Sequence, residues 1–379
     1  MMLPTPWMPD GDSRRHLLDR CSTVIARSDL LRNSVPIGIR EALSPLLRNM
    51  NSFYSNLIEG QHTTPAEIEL ALKSEFSSDS ETARRQRLAL AHVEIEHELR
   101  SGSRDPYDSS LLLDIHRRLF EAAETEIQPG VFRIVDVRVG NHIAPPKEDV
   151  PGVIEHWCNA YSHAAGRDER LLAGICAHHR LAWIHPFRDG NGRVSRLQLL
   201  MSFKAVDLTG EIWSPLRGFA RDLNAYYVRL ANADWVRKQD VDGRGSLTQH
   251  GLVEWCDHVL DVCEDQMLFM EQRIDIASFK QNVAALLMWY DAHPWNIGSE
   301  RSLIKIEVLE PLHYLAMVGE LDRQRFLSMT GLRERTARRV LATLLDIGIV
   351  KAASARAPLR FALPSTSLRF LFPGLWPEA

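Results

Sequence analysis

The chain has 379 residues, 45% of them apolar, and a formal net charge of −4. This length and apolar content are enough for two or three domains with a hydrophobic core. The overall negative charge excludes a protein that binds polyanions over its whole surface. Five scattered cysteines form neither a disulfide framework nor a zinc-binding pattern, and no apolar run reaches the roughly 18 residues of a membrane span. We therefore expect a cytoplasmic protein with reduced cysteines and no membrane contact.

The first strong pattern is an amphipathic helix near the beginning of the chain. Apolar residues recur at helical spacing over residues 42–58, and Gly60 follows at the position of a C-cap. Ser55 and Glu59 are four residues apart, so they lie on one face of this predicted helix. Residues 64–67, which read Thr-Pro-Ala-Glu, have the pattern of a capping box with proline at the first helical position and predict a second helix start.

Helical periodicity continues through the middle of the chain and is interrupted once. It predicts helices over residues 81–99, 109–123, 153–165 and 169–184. In residues 133–139, by contrast, apolar and polar side chains partly alternate and β-branched residues are frequent. The Gly-Asn pair that follows favours a tight turn. The sequence therefore predicts a mainly helical, all-α protein with one short β-hairpin, which is either a connecting ribbon or an exposed edge for binding.

The densest group of chemically active residues lies between two apolar helical segments, 171–184 and 197–206. Residues 185–196 read His-Pro-Phe-Arg-Asp-Gly-Asn-Gly-Arg-Val-Ser-Arg. This pattern predicts a tight loop at the N-terminus of a helix, where free N–H groups and the helix dipole attract anions. Arg193 and Arg196 are three residues apart and share one helix face. A histidine, a hard carboxylate ligand, glycines and arginines in one loop are the residue types that handle nucleotide phosphates.

This run matches the signature of the Fic family, His-x-Phe-x-(Asp/Glu)-Gly-Asn-Gly-Arg-x-x-Arg, at every fixed position, so the chain resembles a Fic family protein adenylyltransferase. The resemblance implies transfer of AMP from ATP to a Ser, Thr or Tyr hydroxyl of a target protein or of the chain itself, with Mg²⁺ and release of pyrophosphate. It implies His185 as the catalytic general base and Asp189 as the metal ligand. The ATP-binding residues expected from it are Arg188 (at a position that the signature leaves open), Asp189, Gly190, Asn191, Gly192, Arg193, Arg196 and, near adenine, Tyr226 or Tyr227.

The early amphipathic helix resembles the inhibitory helix of Fic proteins. Ser55-x-x-x-Glu59-Gly60 matches the inhibitory motif (Ser/Thr)-x-x-x-Glu-(Gly/Asn). In this motif the glutamate pairs with the second arginine of the signature, here Arg196, and keeps it from the ATP γ-phosphate. In some members the same glutamate can orient a water for AMP removal, so that reverse activity is an open alternative.

The predicted hairpin resembles the flap that lies over the active site of Fic proteins. The resemblance rests on residues 129–133, which read Pro-Gly-Val-Phe-Arg, and on the later pair Pro145-Pro146. A flap with unpaired backbone groups can dock a target segment by strand addition. The docking residues that we expect are Val135, Val137 and Val139.

The last quarter of the chain has a different pattern. After a helical stretch (247–293) and a segment of linker composition (294–301), the sequence predicts three helices (309–318, 322–329, 333–347) and two strands (348–350, 359–363). This order resembles a winged helix-turn-helix. Between residues 322 and 360 there are nine Lys or Arg and three Asp or Glu, a formal charge of +6. We therefore expect duplex DNA to bind at the third helix, or alternatively a protein partner or a second copy of the chain, through Arg333, Arg335, Arg338 and Arg339.

These patterns divide the chain into residues 1–100 with the inhibitory helix, 101–240 as the Fic core, 241–300 as a helical extension and linker, and 301–379 as a winged-helix domain. Two other functions are compatible with the residues. One is a Fic enzyme that transfers phosphocholine or phosphate, and the other is a DNA-binding regulator whose Fic core only senses nucleotide. The sequence has no Walker-type Gly-x-x-x-x-Gly-Lys, which argues against a P-loop ATPase.

Overall fold

A computed structural model describes residues 3–122, 127–240, 242–297 and 300–375, and this part of the chain is mainly α-helical, as the periodicity predicts. Its helices are α1 Gly11–Ser34, α2 Ile37–Ile58, α3 Pro65–Leu72, α4 Ser80–Ser101, α5 Ser109–Ala122, α6 Val150–Tyr161, α7 Arg167–Ile184, α8 Asn191–Ala205, α9 Leu216–Arg221, α10 Leu223–Ala233, α11 Gln249–Arg273, α12 Ile276–Ala292, α13 Leu309–Val318, α14 Arg323–Met329, α15 Glu334–Ile347 and α16 Ser365–Leu371. Its strands are β1 Arg138–Val139, β2 His142–Ile143, β3 Asn296–Ile297, β4 Glu300–Arg301, β5 Glu320–Leu321, β6 Val350–Lys351 and β7 Leu359–Phe361.

The early helices begin and end close to their predicted boundaries. α2 extends the predicted segment back to Ile37 and ends at the predicted residue, with Gly60 just beyond it at φ +71°. α3 begins with the predicted capping box, in which the side chains of Thr64 and Glu67 each accept a hydrogen bond from the backbone N–H of the other. α5 is the helix predicted over residues 109–123, and residue 123 itself lies outside the described residues.

The predicted hairpin is shorter than its sequence pattern suggests. β1 contains only two residues, and it pairs with β2 in antiparallel register. The preceding residues instead follow the buried side chain of Arg133, whose guanidinium donates to the carbonyl oxygens of Val135 and Pro145. The prediction that Val135 and Val137 lie in a strand is therefore wrong, and only Val139 of the three expected docking residues does.

Two other β features differ from the predictions. The segment over residues 294–301 is not a plain linker, because β3 and β4 pair within it; residues 298–299 lie outside the described residues. Near the C-terminus, β5 pairs with β7 and gives a third strand that was not predicted. Strands of two residues are too short to show a hydrophobic period, which explains why the sequence did not reveal them.

α7 and α8 form the centre of the molecule. α1, α6 and α11 pack against α7, while α2, α4 and α5 contact α8. The buried indole N–H groups of Trp157 in α6 and Trp255 in α11 each donate to a backbone carbonyl of α7 at 3.0 Å. Because the predicted motif lies between α7 and α8, these contacts fix its position. Among the helices in the described ranges, none has both the length and the apolar character needed to cross a lipid bilayer.

The last elements of the chain form a C-terminal unit that packs on α2. It contains α13, α14 and α15 and an antiparallel sheet of strand order β5-β7-β6, with α13 and β7 in contact with α2. Arg360 of β7 lies 4.0 Å from Glu41, and Ser365 at the start of α16 donates to Glu69 at 2.9 Å. α2 is therefore shared between the central helices and the C-terminal unit.

Gly38, in the first turn of α2, allows a close approach to the C-terminal unit. A Cβ at this position would lie 2.5 Å from the carbonyl oxygen of Ala316 and 2.8 Å from that of Leu315. Alanine is favoured over glycine within a helix by about 1 kcal/mol, but overpacking costs about 1–3 kcal/mol. We predict that Gly38→Ala lowers the free energy of unfolding by about 1 kcal/mol, as measured by denaturant titration. A higher free energy of unfolding in Gly38→Ala than in the wild type would show that α2 does not pack on α13 at this point.

Candidate active site

The predicted motif forms a loop over residues 185–190, between the end of α7 and the start of α8. His185 directly follows α7 and has φ +50°, in the left-handed region that favours glycine. Its N–H still donates to the Leu181 carbonyl at 3.1 Å, so the chain turns sharply without losing this helical bond. Left-handed backbone at a non-glycine residue costs about 1–2 kcal/mol, and such strain is concentrated at functional sites.

The loop is closed by Asn191, the first residue of α8. Its Oδ1 accepts from the N–H of Phe187 at 2.8 Å, and its Nδ2 donates to the Phe187 carbonyl at 2.9 Å. The side-chain amide of Asn191 is therefore bonded to loop backbone, and the expected contribution of Asn191 to ATP binding stays a prediction. Gly190 has φ +79°, and a Cβ there would overlap the ring of Phe120, so both the turn and the packing require glycine.

His116 in α5 supports the loop from beneath and was not identified from the sequence. Its ring stacks on Phe187 with centroids 4.0 Å apart. Nδ1 accepts from the N–H of Gly130 at 2.9 Å, so Nε2 carries the proton and donates to the Asp189 carbonyl at 3.2 Å. Burial lowers the pKa of His116 to about 4, which keeps this tautomer neutral. A lone histidine on a helix gives no sequence signal of such a role.

His185 is held as a neutral imidazole of defined tautomer. Its Nδ1–H donates to the Ala182 carbonyl at 3.3 Å, which leaves Nε2 with the lone pair that a general base needs. Burial lowers the pKa of His185 below its ordinary value, so the imidazole is unprotonated at neutral pH. Arg133 donates from Nε to the His185 carbonyl at 2.8 Å and thereby ties the hairpin to the loop.

Asp189 lies at the exposed tip of the loop, next to the exposed Arg188. Oδ1 of Asp189 accepts from the N–H of Gly190 at 2.5 Å. Within the described ranges, no group of three or more His, Cys, Asp and Glu side chains is placed to hold a metal ion. A single carboxylate nevertheless fits Mg²⁺, which typically takes one or two protein carboxylates together with phosphate oxygens and waters. Asp189 is therefore suited to hold the ion jointly with a bound nucleotide.

Arg196 is bound by the C-terminal end of α2. Its side chain is 1% exposed. Nε donates to Oγ of Ser55 and Nη2 to the Ser55 carbonyl, both at 3.0 Å, and Nη2 also donates to Oε1 of Glu59 at 2.6 Å. Burial alone would raise the pKa of Glu59, but the facing Arg196 guanidinium holds it below its ordinary value. Ser55 and Glu59 thus meet Arg196 together, in agreement with their four-residue spacing.

The Glu59 carboxylate also fills the space above the first turn of α8. A Cβ at Gly192 would collide with Oε1 of Glu59 and lie 2.9 Å from Nη1 of Arg196. A side chain at position 192 would therefore displace this ion pair. The first N–H groups of a helix attract anions, so a carboxylate is favoured near this end of α8.

Arg193 is bound to α2 as well, but by a neutral group. It is 3% exposed, and its Nε donates to Oδ1 of Asn56 at 3.2 Å. Burial lowers the pKa of Arg193, although an arginine guanidinium stays charged at any physiological pH. Arg193 and Arg196 thus share one helix face, as the signature predicts. A neutral amide oxygen accepts from Arg193, whereas a carboxylate accepts from Arg196.

The structure distinguishes the two tyrosines that could lie near adenine. Tyr226 is only 2% exposed, and its hydroxyl is 3.1 Å from Nε2 of His178, so its ring is not available for stacking. Tyr227 is 46% exposed, and its hydroxyl donates to the Ile58 carbonyl at the end of α2 at 2.9 Å. Tyr227 is therefore the better placed of the two for a contact with adenine, because Tyr226 belongs to the core.

The hairpin exposes apolar side chains beside the loop. Those of Ile134, Val135, Val139 and Ile143 are between 43% and 74% exposed. The carbonyl of Val137 accepts from the N–H of Ala144 at 3.3 Å, so this part of the hairpin is partly bonded within itself. Clustered exposed apolar side chains are typical of contact surfaces.

The four arginines expected at the third helix of the C-terminal unit are all exposed. One of them precedes α15 and three lie on its first two turns: Arg333, Arg335, Arg338 and Arg339. Arg338 pairs with Glu334 at 2.5 Å, and Arg339 donates to the Arg301 carbonyl at 3.4 Å. The side chains form a positively charged face on a helix whose opposite face is buried.

Part of the chain is similar in sequence to proteins of known family. The sequence model of the Fic/DOC family matches residues 106–202. A "Protein adenylyltransferase Fic" of Culex quinquefasciatus is 42% identical over 89 residues, and one of Drosophila virilis is 39% identical over 89 residues. These matches cover 23% of this chain and 17% and 18% of the two relatives, so the similarity spans less than a fifth of those proteins.

Solved structures resemble a larger part of the chain. A Fic family protein from Desulfovibrio desulfuricans G20 has a TM-score of 0.55 at 16% identity and covers 96% of this chain and 99% of its own. Fic-1 from C. elegans has a TM-score of 0.51 at 17% identity, with 67% and 71% covered. At such low identity the likeness shows the fold alone. Residues 106–202 of this chain therefore form a Fic domain, set in a mainly helical chain whose fold is similar to that of solved Fic proteins.

Proposed function

We propose that this protein transfers AMP from ATP to a hydroxyl group of a protein, either a separate target or itself. The observation that carries the proposal is the placement of a neutral His185 and two buried arginines on either side of one tight loop. Arg193 and Arg196 at a helix N-terminus supply positive charge and N–H donors for phosphate oxygens. The names of the partial relatives support the same reaction.

In the proposed reaction the hydroxyl oxygen attacks the α-phosphorus of ATP, and Nε2 of His185 takes the hydroxyl proton. The bond from the α-phosphorus to the bridging oxygen breaks, and pyrophosphate leaves with the electron pair. Arg193, Arg196 and the first N–H groups of α8 stabilise the phosphate charge. Mg²⁺ held by Asp189 and the phosphates would further neutralise the leaving group. Transfer of phosphate or phosphocholine is the alternative, and intact-mass spectrometry of the product distinguishes the three groups.

We predict that His185→Ala, made in the Glu59→Gly background, reduces AMP transfer by about 10²–10⁴-fold, the usual contribution of a general base. ATP binding should be retained, because His185 acts on the hydroxyl and not on the nucleotide.

Burial lowers the pKa of His185, so the neutral base persists as the pH falls to about 6.5, the ordinary value, and is lost only below it. The acid limb of the transfer rate, measured with ATP labelled at the α-phosphate, should therefore lie below that pH. A limb at or above it, or substantial labelling by the alanine variant, would contradict this assignment.

We further propose that α2 inhibits transfer in cis. Glu59 neutralises Arg196, the guanidinium that would bind the γ-phosphate, and its carboxylate occupies the space above Gly192. ATP would then lack both the charge and the room for a productive pose. If the same carboxylate instead orients a water, the protein would remove AMP, and incubation with an AMP-modified protein would show loss of that mass.

Glu59→Gly is predicted to increase AMP transfer, including self-labelling, by about tenfold or more, since a hydrogen bond to a charged group contributes about 1.5–3 kcal/mol. The freed Arg196 guanidinium is the cause of the gain, so adding Arg196→Ala should reverse it. Labelling by the purified variants with α-phosphate-labelled ATP is the measurement. Equal labelling by wild type and Glu59→Gly would rule out inhibition by this contact.

We propose that the hairpin docks the target segment. Its exposed apolar side chains lie next to the loop that carries His185, and Arg133 connects the two. Among the described residues β1 and β2 form a two-stranded sheet, to which a target segment would add as a further strand. The attacking hydroxyl of a docked segment would thereby be held close to Nε2 of His185.

A second candidate function belongs to the C-terminal unit, for which we propose duplex DNA binding in the manner of a winged helix-turn-helix. The observation that favours it is the exposed arginine face at the start of α15. A third helix with its N-terminal residues basic and exposed suits insertion into the major groove. The alternative is that this face contacts another protein or a second copy of the chain.

Replacing Arg335 and Arg338 together by alanine is predicted to weaken DNA binding by the full chain and to reduce the slope of log affinity against log salt by about 2. Fluorescence anisotropy with duplexes at several salt concentrations gives both quantities. Arg15→Ala, which removes an exposed arginine from α1, serves as the control. Absence of binding at low salt, together with a dimer mass in solution, would favour the protein contact.

A further inference from the structure

α2 contacts both arginines of the Fic signature, but only one contact is explained by inhibition. Glu59 and Ser55 bind Arg196. Asn56, three residues before Glu59, binds Arg193 through its Oδ1 at 3.2 Å. Residues three apart share a helix face, so one face of α2 bears a charged and a neutral acceptor for two neighbouring guanidinium groups.

The orientation of the Asn56 side chain follows from the donor it faces. A guanidinium nitrogen can only donate, so the atom that meets Nε of Arg193 must be the amide oxygen. Asn56 is 1% exposed, and its Nδ2 is buried without a hydrogen-bond partner among the described residues. A buried amide donor left unpaired costs free energy of folding, so this amide group does not by itself stabilise the fold.

The contacts of Glu59 and Asn56 have opposite effects on the binding of an anion at these arginines. The Glu59 carboxylate cancels the charge of Arg196 and occupies the anion position above Gly192. The amide oxygen of Asn56 orients Arg193 and leaves its full positive charge available. Arg193 is 3% exposed, so its guanidinium has little freedom to find an orientation without such a partner.

We propose that Asn56 is a positioning residue of the nucleotide site. It holds Arg193 in the orientation that receives the β- and γ-phosphates of ATP. α2 therefore contributes to nucleotide binding through Asn56 and opposes it through Glu59. This inference rests on the proposed function, because the anion that Arg193 receives is taken to be ATP. Consequently the two residues of one helix should have opposite effects when they are replaced.

The test compares variants that all carry Glu59→Gly, so that no carboxylate at position 59 pairs with Arg196 in any of them. Adding Asn56→Ala removes the acceptor of Arg193, and adding Asn56→Asp keeps its shape but introduces a charge that would neutralise the guanidinium. The control is Asn51→Ala, another buried asparagine of α2, which donates to Glu96 at 2.9 Å instead of binding the motif. Affinities for ATP and for AMP, which lacks the β- and γ-phosphates, are measured by calorimetric titration.

We expect Asn56→Ala to weaken ATP binding by about two- to tenfold, the range of one ordinary hydrogen bond, and to leave AMP binding unchanged. Asn56→Asp should weaken ATP binding at least as much, and Asn51→Ala should change neither affinity. Unchanged ATP binding in both Asn56 variants, or an equal loss for AMP, would overturn the proposal. If Asn56→Ala does not fold, the isosteric Asn56→Asp decides the question.

The outcome for Asn56 can be separated from that of the proposed function. If the Glu59→Gly protein labels no protein with AMP, the transferase assignment fails, yet the ATP and AMP affinities still report on the contact between Asn56 and Arg193. If labelling occurs but both affinities are insensitive to position 56, the transferase assignment stands and the positioning role of Asn56 fails.

Discussion

The buried guanidinium of Arg196 is the constraint on which the rest of the site depends. A charge that is 1% exposed needs acceptors, because water cannot reach it. In the present structure Ser55 and Glu59, at the C-terminal end of α2, supply them, and the Tyr226 side chain also interacts with this guanidinium. In the proposed inhibition, an ATP phosphate would have to offer equivalent negative charge to replace the Glu59 carboxylate, because the guanidinium that both would contact is buried.

Around this charge the loop is held by hydrogen bonds from other parts of the chain. Asn191 closes the loop on the backbone of Phe187, His116 bridges it to α5, and Arg133 connects it to the hairpin. Burial keeps His116 uncharged and lowers the pKa of His185. Asn191 and the neutral His116 add no charge to the site, so the positive charge at the start of α8 comes from the two signature arginines and the helix dipole.

α2 connects this site to the remainder of the chain. Glu59 directly follows its last turn, while its first turn packs on α13, where Gly38 leaves no space for a side chain. β7 contacts the same helix, and Arg360 lies 4.0 Å from Glu41. The C-terminal unit therefore contributes to the position of α2, and the helix that occupies the signature arginines is stabilised from both of its ends.

The sequence by itself determined the local features of this protein. Periodicity and capping residues placed α2, α3 and most later helices, and the fixed spacing of residues 185–196 placed a loop before a helix. The four-residue spacing of Ser55 and Glu59 put both on one face, because helix geometry is local. Short β1, β3, β4 and β5 escaped prediction or were misplaced, since two-residue strands have no hydrophobic period.

Only the tertiary structure decided which groups meet across the chain. The side-chain amide of Asn191 closes the loop, and of two adjacent tyrosines only Tyr227 is exposed. His116 and Asn56 carry no sequence signal, because their partners lie far away along the chain and are brought close by packing of α5 and α2 against α8. Spacing along one helix can be read from residues, whereas burial and the choice of hydrogen-bond partner depend on how separate helices pack.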